Sequence, residues 1–402
     1  MRKFFQILFV SAVLAGFTFY GLATSVSAKD IKVGAVINLT GPASTWGQFH
    51  KKGHEDYFRY VNEVKGGIGG NKIKFTVVDH GYKPPEAAKY VKKFCTLDKM
   101  DMIATWDAAS GNMAKPIIQR YKVPCINYST DQAILKAPVN YMYHPFGAYT
   151  MDSYAVLEYI RSIHKGNGRP KVGLLTYMNA YGKTIHAPSK EYAAKHNVEI
   201  VGIIAFPRKT INLDTELLRL KNMGAQYVFL QILPAHIIMV MQSADRIKFK
   251  APFFGTWTAT DPDFFKRGKG LIRDRMTMQF TGALPVDKTP GIELLETLWK
   301  RYKTVTSFDN SYWEGVVVAM IMEKAFQRAH ERFGKIDGER INRALETFRN
   351  ENFGWLVPDV TYTNTDHSAS WRARIVKVNE DQTYTPLTGF WAPGKEKIPI
   401  LK

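Results

Sequence analysis

The sequence predicts an α/β fold made of two doubly wound units. Apolar strands alternate with helices from residue 31 to residue 127, and the alternation starts again after residue 150 and runs to residue 257. This alternation indicates parallel strands joined by right-handed crossovers. Ligands of open α/β sheets bind beyond the carboxyl ends of the strands. Two facing units therefore predict a site in the cleft between them.

The first unit opens with a strand from Ile31 that stops in a turn of small and hydroxyl residues before Trp46. A helix follows, because Tyr57 and Val61 recur at helical spacing. A glycine-rich turn over residues 65–71 separates this helix from the next strand. The other predicted elements of this unit are strands 72–79, 100–105 and 123–127 and helices 84–94 and 112–121.

The second unit and the remaining chain are assigned by the same criteria. The second unit is predicted as strands 171–177, 198–205, 227–233 and 252–257 and helices 150–164, 189–196, 214–223 and 235–247. Beyond it we predict helices 290–304, 312–333 and 337–349 and strands 360–363 and 372–378. The tail over residues 393–402 is rich in proline and lysine, and we expect it at the periphery.

Residues 1–28 are predicted to be a secretory signal peptide. Arg2 and Lys3 precede an apolar stretch over residues 4–22, and small residues at 26–28 suit cleavage after Ala28. A membrane anchor is the alternative, since the apolar stretch is nearly long enough to span a bilayer. The small residues at its exit favour the signal peptide. We therefore expect an exported, periplasmic protein, and residues 29–402 are enough for two domains.

The chain is strongly basic, with a formal net charge of +19. The charge raises the question of nucleic acid binding, but lysine and arginine are spread along the sequence without a basic run or a base-reading motif. Export also argues against nucleic acid as a partner. The charge instead predicts a solvated basic surface that suits anionic membranes or partners.

Two cysteines and one histidine pair are the candidates for disulfide or metal chemistry. Cys95 and Cys125 meet an oxidising compartment, where they either form a disulfide or lie as thiols in the core. His50 and His54 have metal-like spacing on a helix, but no third ligand is evident on that face, so we expect solvated histidines. No spacing that combines cysteine and histidine ligands occurs, and no metal site is predicted.

The sequence contains none of the common catalytic motifs. The nucleophile elbow of hydrolases, the phosphate-binding loop and the zinc-protease motif are all absent. The glycines at 66–70 lie between a helix and a strand, which is the wrong side for a dinucleotide site, and they predict a hairpin-like turn. We expect no catalytic residues and no cofactor. An exported hydrolase is the rival interpretation.

Hydroxyl, carboxylate and aromatic side chains collect where the predicted strands end. They occupy residues 44–46, 105–110 and 128–131 in the first unit and Tyr181, Gln231 and residues 256–258 in the second. A single tryptophan is ordinarily a core residue, but recurrence at the same structural place in both units favours a shared pocket. Apolar walls with a few placed polar groups are typical of small-molecule sites.

A series of short motifs runs through nearly all of the mature chain. They read Ile31-Lys-Val-Gly-Ala-Val, Leu39-Thr-Gly-Pro, Trp46-Gly, Asn62-Glu, Gly66-Gly-Ile-Gly-Gly-Asn-Lys, Val77-Val-Asp, Pro85-Glu-Ala-Ala, Val123-Pro-Cys-Ile, Ala180-Tyr-Gly and Asp366-His. Each is weak alone, but in this order and spacing the chain resembles the type I periplasmic substrate-binding proteins of ABC transporters, in the leucine/isoleucine/valine-binding branch. The resemblance implies two Rossmann-like lobes, joined by three hinge strands, that close on a ligand.

The same resemblance implies where the lobes begin and end. Lobe one would hold residues 29–146 and 284–353, and lobe two would hold residues 147–283 and 354–402. The three crossings would fall near Phe146-Gly147, Thr281-Gly282 and Phe353-Gly354. Each pair contains a glycine, which tolerates the backbone rotation of a hinge.

Two stretches of lobe one correspond to the family's positions for an amino-acid head group. The stretch that receives the carboxylate reads Asp107-Ala108-Ala109-Ser110, in which Ala108 lacks the usual hydroxyl and Asp107 adds a negative charge. The stretch that receives the ammonium reads Ser129-Thr130-Asp131, with Asp131 at a position usually held by threonine.

In lobe two, Tyr181 matches the aromatic residue that closes on the ligand, and Trp257 replaces the acidic residue that usually pairs with the ammonium. The amine-binding carboxylate has then moved to Asp131, or the ligand has no amine. Trp46 is expected to face Trp257 across the cleft. Such walls suit a flat aromatic ligand by stacking, or a cation held against the rings beside Asp107 and Asp131. The expected ligand-binding residues are Trp46, Trp106, Asp107, Ala108, Ala109, Ser129, Thr130, Asp131, Tyr181, Gln231 and Trp257.

The function expected from these observations is that of a solute receptor that delivers a small organic ligand to an inner-membrane ABC permease. An amino acid or related amine is the family default for the ligand. An aromatic acid or other aromatic compound is the alternative. A ligand-sensing module that passes closure to a signalling partner is a second alternative. We expect a monomer that binds its ligand without covalent chemistry.

Overall fold

A computed structural model describes residues 29–136, 141–272, 274–305, 310–381 and 383–401. The predicted signal peptide lies outside these residues. The described strands fall into two separate sheets, one of five strands and one of seven. Within the described part of the chain, no helix is long and apolar enough to cross a membrane.

The first sheet is parallel throughout, with the strand order β2-β1-β3-β4-β5. Its strands are β1 (Ile31–Ile37), β2 (Ile73–Asp79), β3 (Met102–Thr105), β4 (Cys125–Asn127) and β5 (Met142–Tyr143), and helices α1 (Ser44–Glu63), α2 (Pro84–Lys93) and α3 (Ala108–Tyr121) connect the first four. Every residue of β1 except Lys32 is buried, which explains its nearly continuous apolar sequence. The carboxyl ends of the strands meet at one edge of this sheet.

The second sheet has the strand order β12-β11-β10-β9-β8-β6-β7. Its strands are β6 (Lys171–Tyr177), β7 (Glu199–Phe206), β8 (Tyr227–Gln231), β9 (Phe253–Gly255), β10 (Met276–Phe280), β11 (Arg374–Val378) and β12 (Tyr384–Pro386). Strands β6 to β10 are parallel, and β11 and β12 add two antiparallel pairings at one edge. The helices of this part are α4 (Tyr149–Ile163), α5 (Ala180–Lys183), α6 (His186–Lys195), α7 (Asp214–Asn222), α8 (Pro234–Arg246) and α9 (Pro262–Gly268). Together the two sheets confirm the predicted fold class.

Three further helices follow β10: α10 (Pro290–Tyr302), α11 (Asn310–Phe333) and α12 (Gly338–Leu345). Helix α11 packs on α1 almost backbone to backbone. A Cβ added at Gly53 would lie 2.4 Å from the carbonyl oxygen of Tyr312, and one added at Gly315 would lie 2.5 Å from that of His50. These two glycines allow the close approach, which joins α11 to the layers of the first sheet.

The lobe boundaries and the three hinges remain predictions. Phe146 is buried beside the first expected crossing. At the second crossing, a Cβ on Gly282 would lie 2.0 Å from Cζ2 of Trp313, so there is no room for a side chain. At the third, Gly354 has a φ of +67°, in the left-handed region that favours glycine.

The predicted elements differ from the structure mainly at short strands. The sequence does not predict β5 or β12, which have two and three residues, nor β10 and α9. Two or three residues are too few to show a period, which explains the first two omissions. The predicted strand over 360–363 is wrong, because Val360 instead forms an isolated bridge with Glu351.

The cysteines form no disulfide, so of the two alternatives the core thiols are correct. Cys95 and Cys125 are both free and buried. The Sγ of Cys125 lies 3.4 Å from the hydroxyl of Thr105. Burial raises the pKa of both thiols to about 12, so neither is a reactive thiolate at neutral pH.

The prediction of solvated histidines on α1 is wrong. His50 and His54 are both fully buried, because α1 packs against α11 at His50 and against the first sheet at His54. His50 Nε2 lies 2.9 Å from Oε2 of Glu314 on α11, and the His54 ring stacks on Phe75 at 5.1 Å. Burial lowers the pKa of both imidazoles, that of His54 to about 4, so both rings are neutral.

Candidate ligand-binding cleft

A narrow pocket with a cavity volume of about 10 Å³ lies between the carboxyl ends of the two sheets. Small-molecule sites have volumes of roughly 300–1,000 Å³, so the two walls of this pocket are nearly in contact. Its lining residues are Tyr82, Trp106, Asp107, Ala108, Ser129, Tyr149, Tyr181, Leu233, Trp257 and Thr258. Each follows the end of a strand, except Tyr149, which begins α4. Six of the eleven expected ligand-binding residues are in this lining.

The other five expected residues, Trp46, Ala109, Thr130, Asp131 and Gln231, lie outside the lining. The expected contact between Trp46 and Trp257 is present, with ring centroids 5.8 Å apart. Ala109 is in the first turn of α3, and the buried Thr130 accepts a hydrogen bond at its carbonyl from the backbone N–H of the first α4 residue. These residues support the wall from behind.

Asp131 and Gln231 make their contacts within the chain. Asp131 accepts hydrogen bonds from the backbone N–H of Ala133 at 3.0 Å and from Asn112 Nδ2 at 2.9 Å. Gln231 donates to the Thr184 hydroxyl at 3.1 Å and accepts from the Thr256 hydroxyl at the same distance. The Thr256 hydroxyl lies 3.0 Å from that of Thr258, which in turn bonds to the Tyr181 hydroxyl. This chain of hydroxyls holds the Tyr181 ring in place.

Aromatic rings from both sheets form most of the pocket surface. On the first side, Tyr82 meets Trp106 edge to face at 5.9 Å. On the second side, the Tyr149 and Trp257 rings are nearly parallel, at 8°, with centroids 6.3 Å apart, and Tyr149 also meets Tyr181 edge to face at 5.8 Å. These contacts fix the rings in a rigid, apolar enclosure.

Asp107 is the charged residue of the lining, and its backbone is strained. Its φ of +72° and ψ of 153° fall in a region almost reserved for glycine, at a cost of about 1–3 kcal/mol. The carboxylate caps α3, because it accepts hydrogen bonds from the backbone N–H of Ser110 at 2.9 Å and from the Ser110 hydroxyl. Burial raises its pKa to about 6, although these bonds and the charge of Arg208 oppose the increase.

Arg208 spans the cleft mouth, although the sequence does not single it out. It follows β7 in the second sheet, and its guanidinium lies 4.3 Å from the centre of the Tyr82 ring, which follows β2 in the first. A cation over an aromatic face at this distance stabilises the contact by about 0.5–2 kcal/mol. The contact joins the two walls directly.

Four lining residues, Tyr82, Tyr149, Leu233 and Thr258, are also absent from the expected set. A usable signal exists for three of them, because Tyr82 and Leu233 closely follow the ends of β2 and β8 and Thr258 is adjacent to Trp257. Tyr149 begins a helix, and the alternation of strands does not mark it.

Comparison with known proteins adds family information. A family model described as "Periplasmic binding protein" matches residues 30–383. The curated relative "Leu/Ile/Val-binding protein homolog 7" of Brucella suis biovar 1 is 22% identical over 343 residues, covering 80% of this chain and 82% of that protein.

Solved structures share the fold at low sequence identity. A branched-chain amino acid ABC transporter structure from Thermus thermophilus, with bound valine, has a TM-score of 0.84 at 21% identity and covers 91% of this chain and 97% of that one. A fatty acid ABC transporter substrate-binding protein from Thermomonospora curvata has a TM-score of 0.83 at 20% identity and covers 92% and 95%. These likenesses show the fold of this chain and do not identify its ligand.

Proposed function

The chain belongs to the periplasmic binding protein family, type I, and within it we propose that this protein is the receptor of an ABC importer for an aromatic compound that is not an amino acid. Members of this family bind substrates and do not convert them. The proposal concerns the class of ligand, and the side chains of the cleft carry it.

The observation that carries the proposal is the position of the Asp107 carboxylate. The N-terminus of a helix is a natural site for an anion, because its first backbone N–H groups have no partner within the helix. At α3, Asp107 itself accepts from the N–H of Ser110 and is also stabilised by that of Ala109. An amino-acid carboxylate at this place would find those donors occupied and would meet a negative charge, whereas the carboxylate of an aromatic acid can lie towards Arg208 at the cleft mouth.

The ammonium of an amino acid also lacks a partner in the lining. The carboxylate of Asp131 is outside the lining and is held by Ala133 and Asn112. Trp257, whose family counterpart is acidic, presents an aromatic ring instead. Both ends of a zwitterion are therefore poorly supported, whereas five aromatic rings surround the pocket. Flat aromatic ligands gain most from such walls.

The proposal is tested by thermal shift and isothermal titration calorimetry of the mature protein. The probes are 4-hydroxybenzoate, benzamide, phenylalanine and leucine. A ligand that binds only the folded state raises the melting temperature, and we expect the increase with 4-hydroxybenzoate or benzamide. Tight binding of leucine with no response to the two aromatic compounds would contradict the proposal.

Two variants locate the binding in the cleft. Tyr82→Ala removes one ring of the lining and is expected to weaken the aromatic probes, whereas Trp355→Ala removes a ring that is 59% exposed outside the lining and is expected to leave affinity unchanged. Asp107→Gly keeps the unusual backbone angles at no steric cost and frees the α3 N-terminus. We expect this variant to gain affinity for phenylalanine.

Export to the periplasm, a monomeric state and delivery to an inner-membrane permease belong to the same proposal. The family assignment supports the periplasmic location and the delivery to a permease. Size-exclusion chromatography with light scattering tests the monomer, and N-terminal sequencing of the exported protein tests cleavage after Ala28.

A further inference from the structure

A carboxyl group without a partner lies behind the aromatic wall of the second sheet. Asp152 is in the first turn of α4 and is completely buried. Among the described residues, no group makes a hydrogen bond with either of its carboxyl oxygens. Leaving a buried polar group unpaired costs about 1–3 kcal/mol, so such a group in a native structure calls for an explanation.

The neighbouring group that suits this carboxyl is the indole of Trp257. Its Nε1 is buried and, within the described part of the chain, has no hydrogen-bond acceptor in bonding geometry. An indole N–H is a donor only, and a carboxyl oxygen is an acceptor, so the two unpaired groups are complementary. Burial raises the pKa of Asp152 well above its usual range, and the nearby Trp257 indole opposes that increase. Asp152 therefore favours its neutral form more than an exposed aspartate does.

The orientation of the Trp257 ring determines the shape of the pocket. The ring lies at 8° to Tyr149, meets Trp46 edge to face at 5.8 Å and meets Phe146 edge to face at 5.6 Å. Three aromatic neighbours pack against the faces and edges of the ring. Nε1 is the only polar atom of the indole, so it is the one point at which a hydrogen bond can hold the orientation of the ring. Asp152 is the acidic group placed to supply that contact.

We propose that Asp152 is a positioning residue that accepts the indole N–H of Trp257, and so holds this ring as the flat wall that selects planar ligands. The inference rests on the proposed function, because it concerns the same cleft and the same class of ligand. Asp152 itself is not part of the lining. It acts through Trp257.

The first arm of the test needs no ligand. The indole ¹H–¹⁵N signal of Trp257 is assigned by comparing the wild type with Trp257→Phe, and then followed in Asp152→Asn and Asp152→Leu. Loss of the acceptor in the leucine variant is expected to shift the signal and to speed its hydrogen exchange, and asparagine, which keeps an acceptor oxygen, is expected to restore most of both. An indole signal that is the same in all three proteins would overturn the proposal.

The second arm measures affinity for 4-hydroxybenzoate by calorimetry. Asp152→Leu is expected to weaken binding about tenfold, Asp152→Asn less than threefold, and Trp257→Phe about as much as Asp152→Leu. The double variant is expected to bind no worse than either single variant, because both changes remove one interaction. If Asp152→Leu weakens the affinity by the same factor in the wild type and in Trp257→Phe, Asp152 acts through another group, and the proposal is overturned.

The two arms separate this inference from the proposed function. If the wild-type protein binds neither 4-hydroxybenzoate nor benzamide, the proposed function fails, but the indole signal still decides whether Asp152 holds Trp257. If Asp152→Leu does not fold, Asp152→Asn and Trp257→Phe can still be compared with the wild type in indole signal and in affinity. If aromatic probes bind and the indole signal ignores Asp152, the function stands and the positioning role fails.

Discussion

Each tryptophan wall of the cleft is backed by a buried carboxyl group, and the two groups have different partners. Behind the first wall, Glu314 lies 2.9 Å from His50, whose ring is 5.9 Å from Trp46 and 6.3 Å from Trp106. Behind the second wall, Asp152 has no such partner among the described residues. The first wall is held by a pair of polar groups, while the second is held mainly by ring packing.

The comparison teaches that the two walls differ in rigidity, although both present similar rings to the cleft. The His50 ring stacks on Tyr128 at 4.0 Å and 7°, so packing and a hydrogen bond both fix it. Behind Trp257 no second pair of this kind occurs among the described residues, so that ring depends on packing and on the contact that we propose with Asp152. Selectivity is then expected to respond more to changes behind Trp257.

The largest expected effect comes from removing His50. His50→Leu leaves Glu314 buried without that donor, and loss of one partner of a buried hydrogen bond costs about 1–3 kcal/mol of unfolding free energy, to which the lost stacking on Tyr128 adds. His50→Leu combined with Glu314→Leu is expected to recover a large part of the loss, because no buried carboxyl group remains. Urea denaturation at pH 7 measures both values.

The control for this prediction is Lys51→Ala on the same helix. Its pair with Glu55, at 3.7 Å, is partly exposed, and we expect a change below about 1 kcal/mol. A double variant no more stable than His50→Leu alone would show that the pair does not support the first wall.

The second prediction concerns Asp152→Asn and pH. Because burial raises the pKa of Asp152 well above its usual range, the folded protein holds a proton that the unfolded chain releases near pH 4. Wild-type stability therefore falls as pH rises above that value, by up to about 1.4 kcal/mol per pH unit, until the raised pKa is passed. The asparagine variant has no such proton, so its stability relative to the wild type is expected to grow from pH 5 to pH 8 in urea denaturation. If the difference in unfolding free energy between the two proteins does not change with pH, Asp152 ionises as an exposed aspartate does.

The third prediction concerns Asp107, whose ionisation also lowers stability as pH rises, but over a narrower pH range. The pKa of Asp107 is raised to about 6, so its folded and unfolded states bind protons differently only between about pH 4 and pH 6. Relative to Asp107→Asn, the wild type is expected to lose stability across that interval, by about 3 kcal/mol at most, and to show no further change above it. The same urea experiment at pH 4, 5, 6 and 7 measures this. A difference that continues to grow above pH 7 would place Asp107 in the same class as Asp152.

The sequence predicts the fold well because its signal is periodic. Strand 171–177 is predicted with the bounds that the structure gives, and most helices are within a few residues of theirs. Short strands such as β5 give too few residues to show a period. The topology of parallel strands is enough to place the cleft at the strand ends. The sequence therefore correctly places Trp106, Tyr181 and Trp257 in the lining.

The features that sequence reasoning misses all depend on contacts distant in the chain. The burial of His50 depends on Gly315, which lies far along the sequence and brings α11 against α1. The contact of Arg208 with Tyr82 joins two loops from different sheets. Asp152 lies on a helix with no local pattern that marks it as unpaired. Pairings of this kind are set by tertiary packing, and single-sequence periodicity carries no record of them.

The smallest expected effect sharpens the comparison at the cleft mouth, where the two walls touch. Arg208→Gln removes the cation from the Tyr82 ring, and the loss of about 0.5–2 kcal/mol corresponds to a roughly 2- to 30-fold weaker affinity for 4-hydroxybenzoate. Arg208→Lys keeps a cation there and is expected to lose less. Arg246→Gln, whose exposed pair with Asp214 lies elsewhere, serves as the control and is expected to bind as the wild type does. If Arg208→Gln also binds as the wild type does, the contact between the walls contributes nothing to closure, and the difference between the walls lies entirely behind their tryptophans.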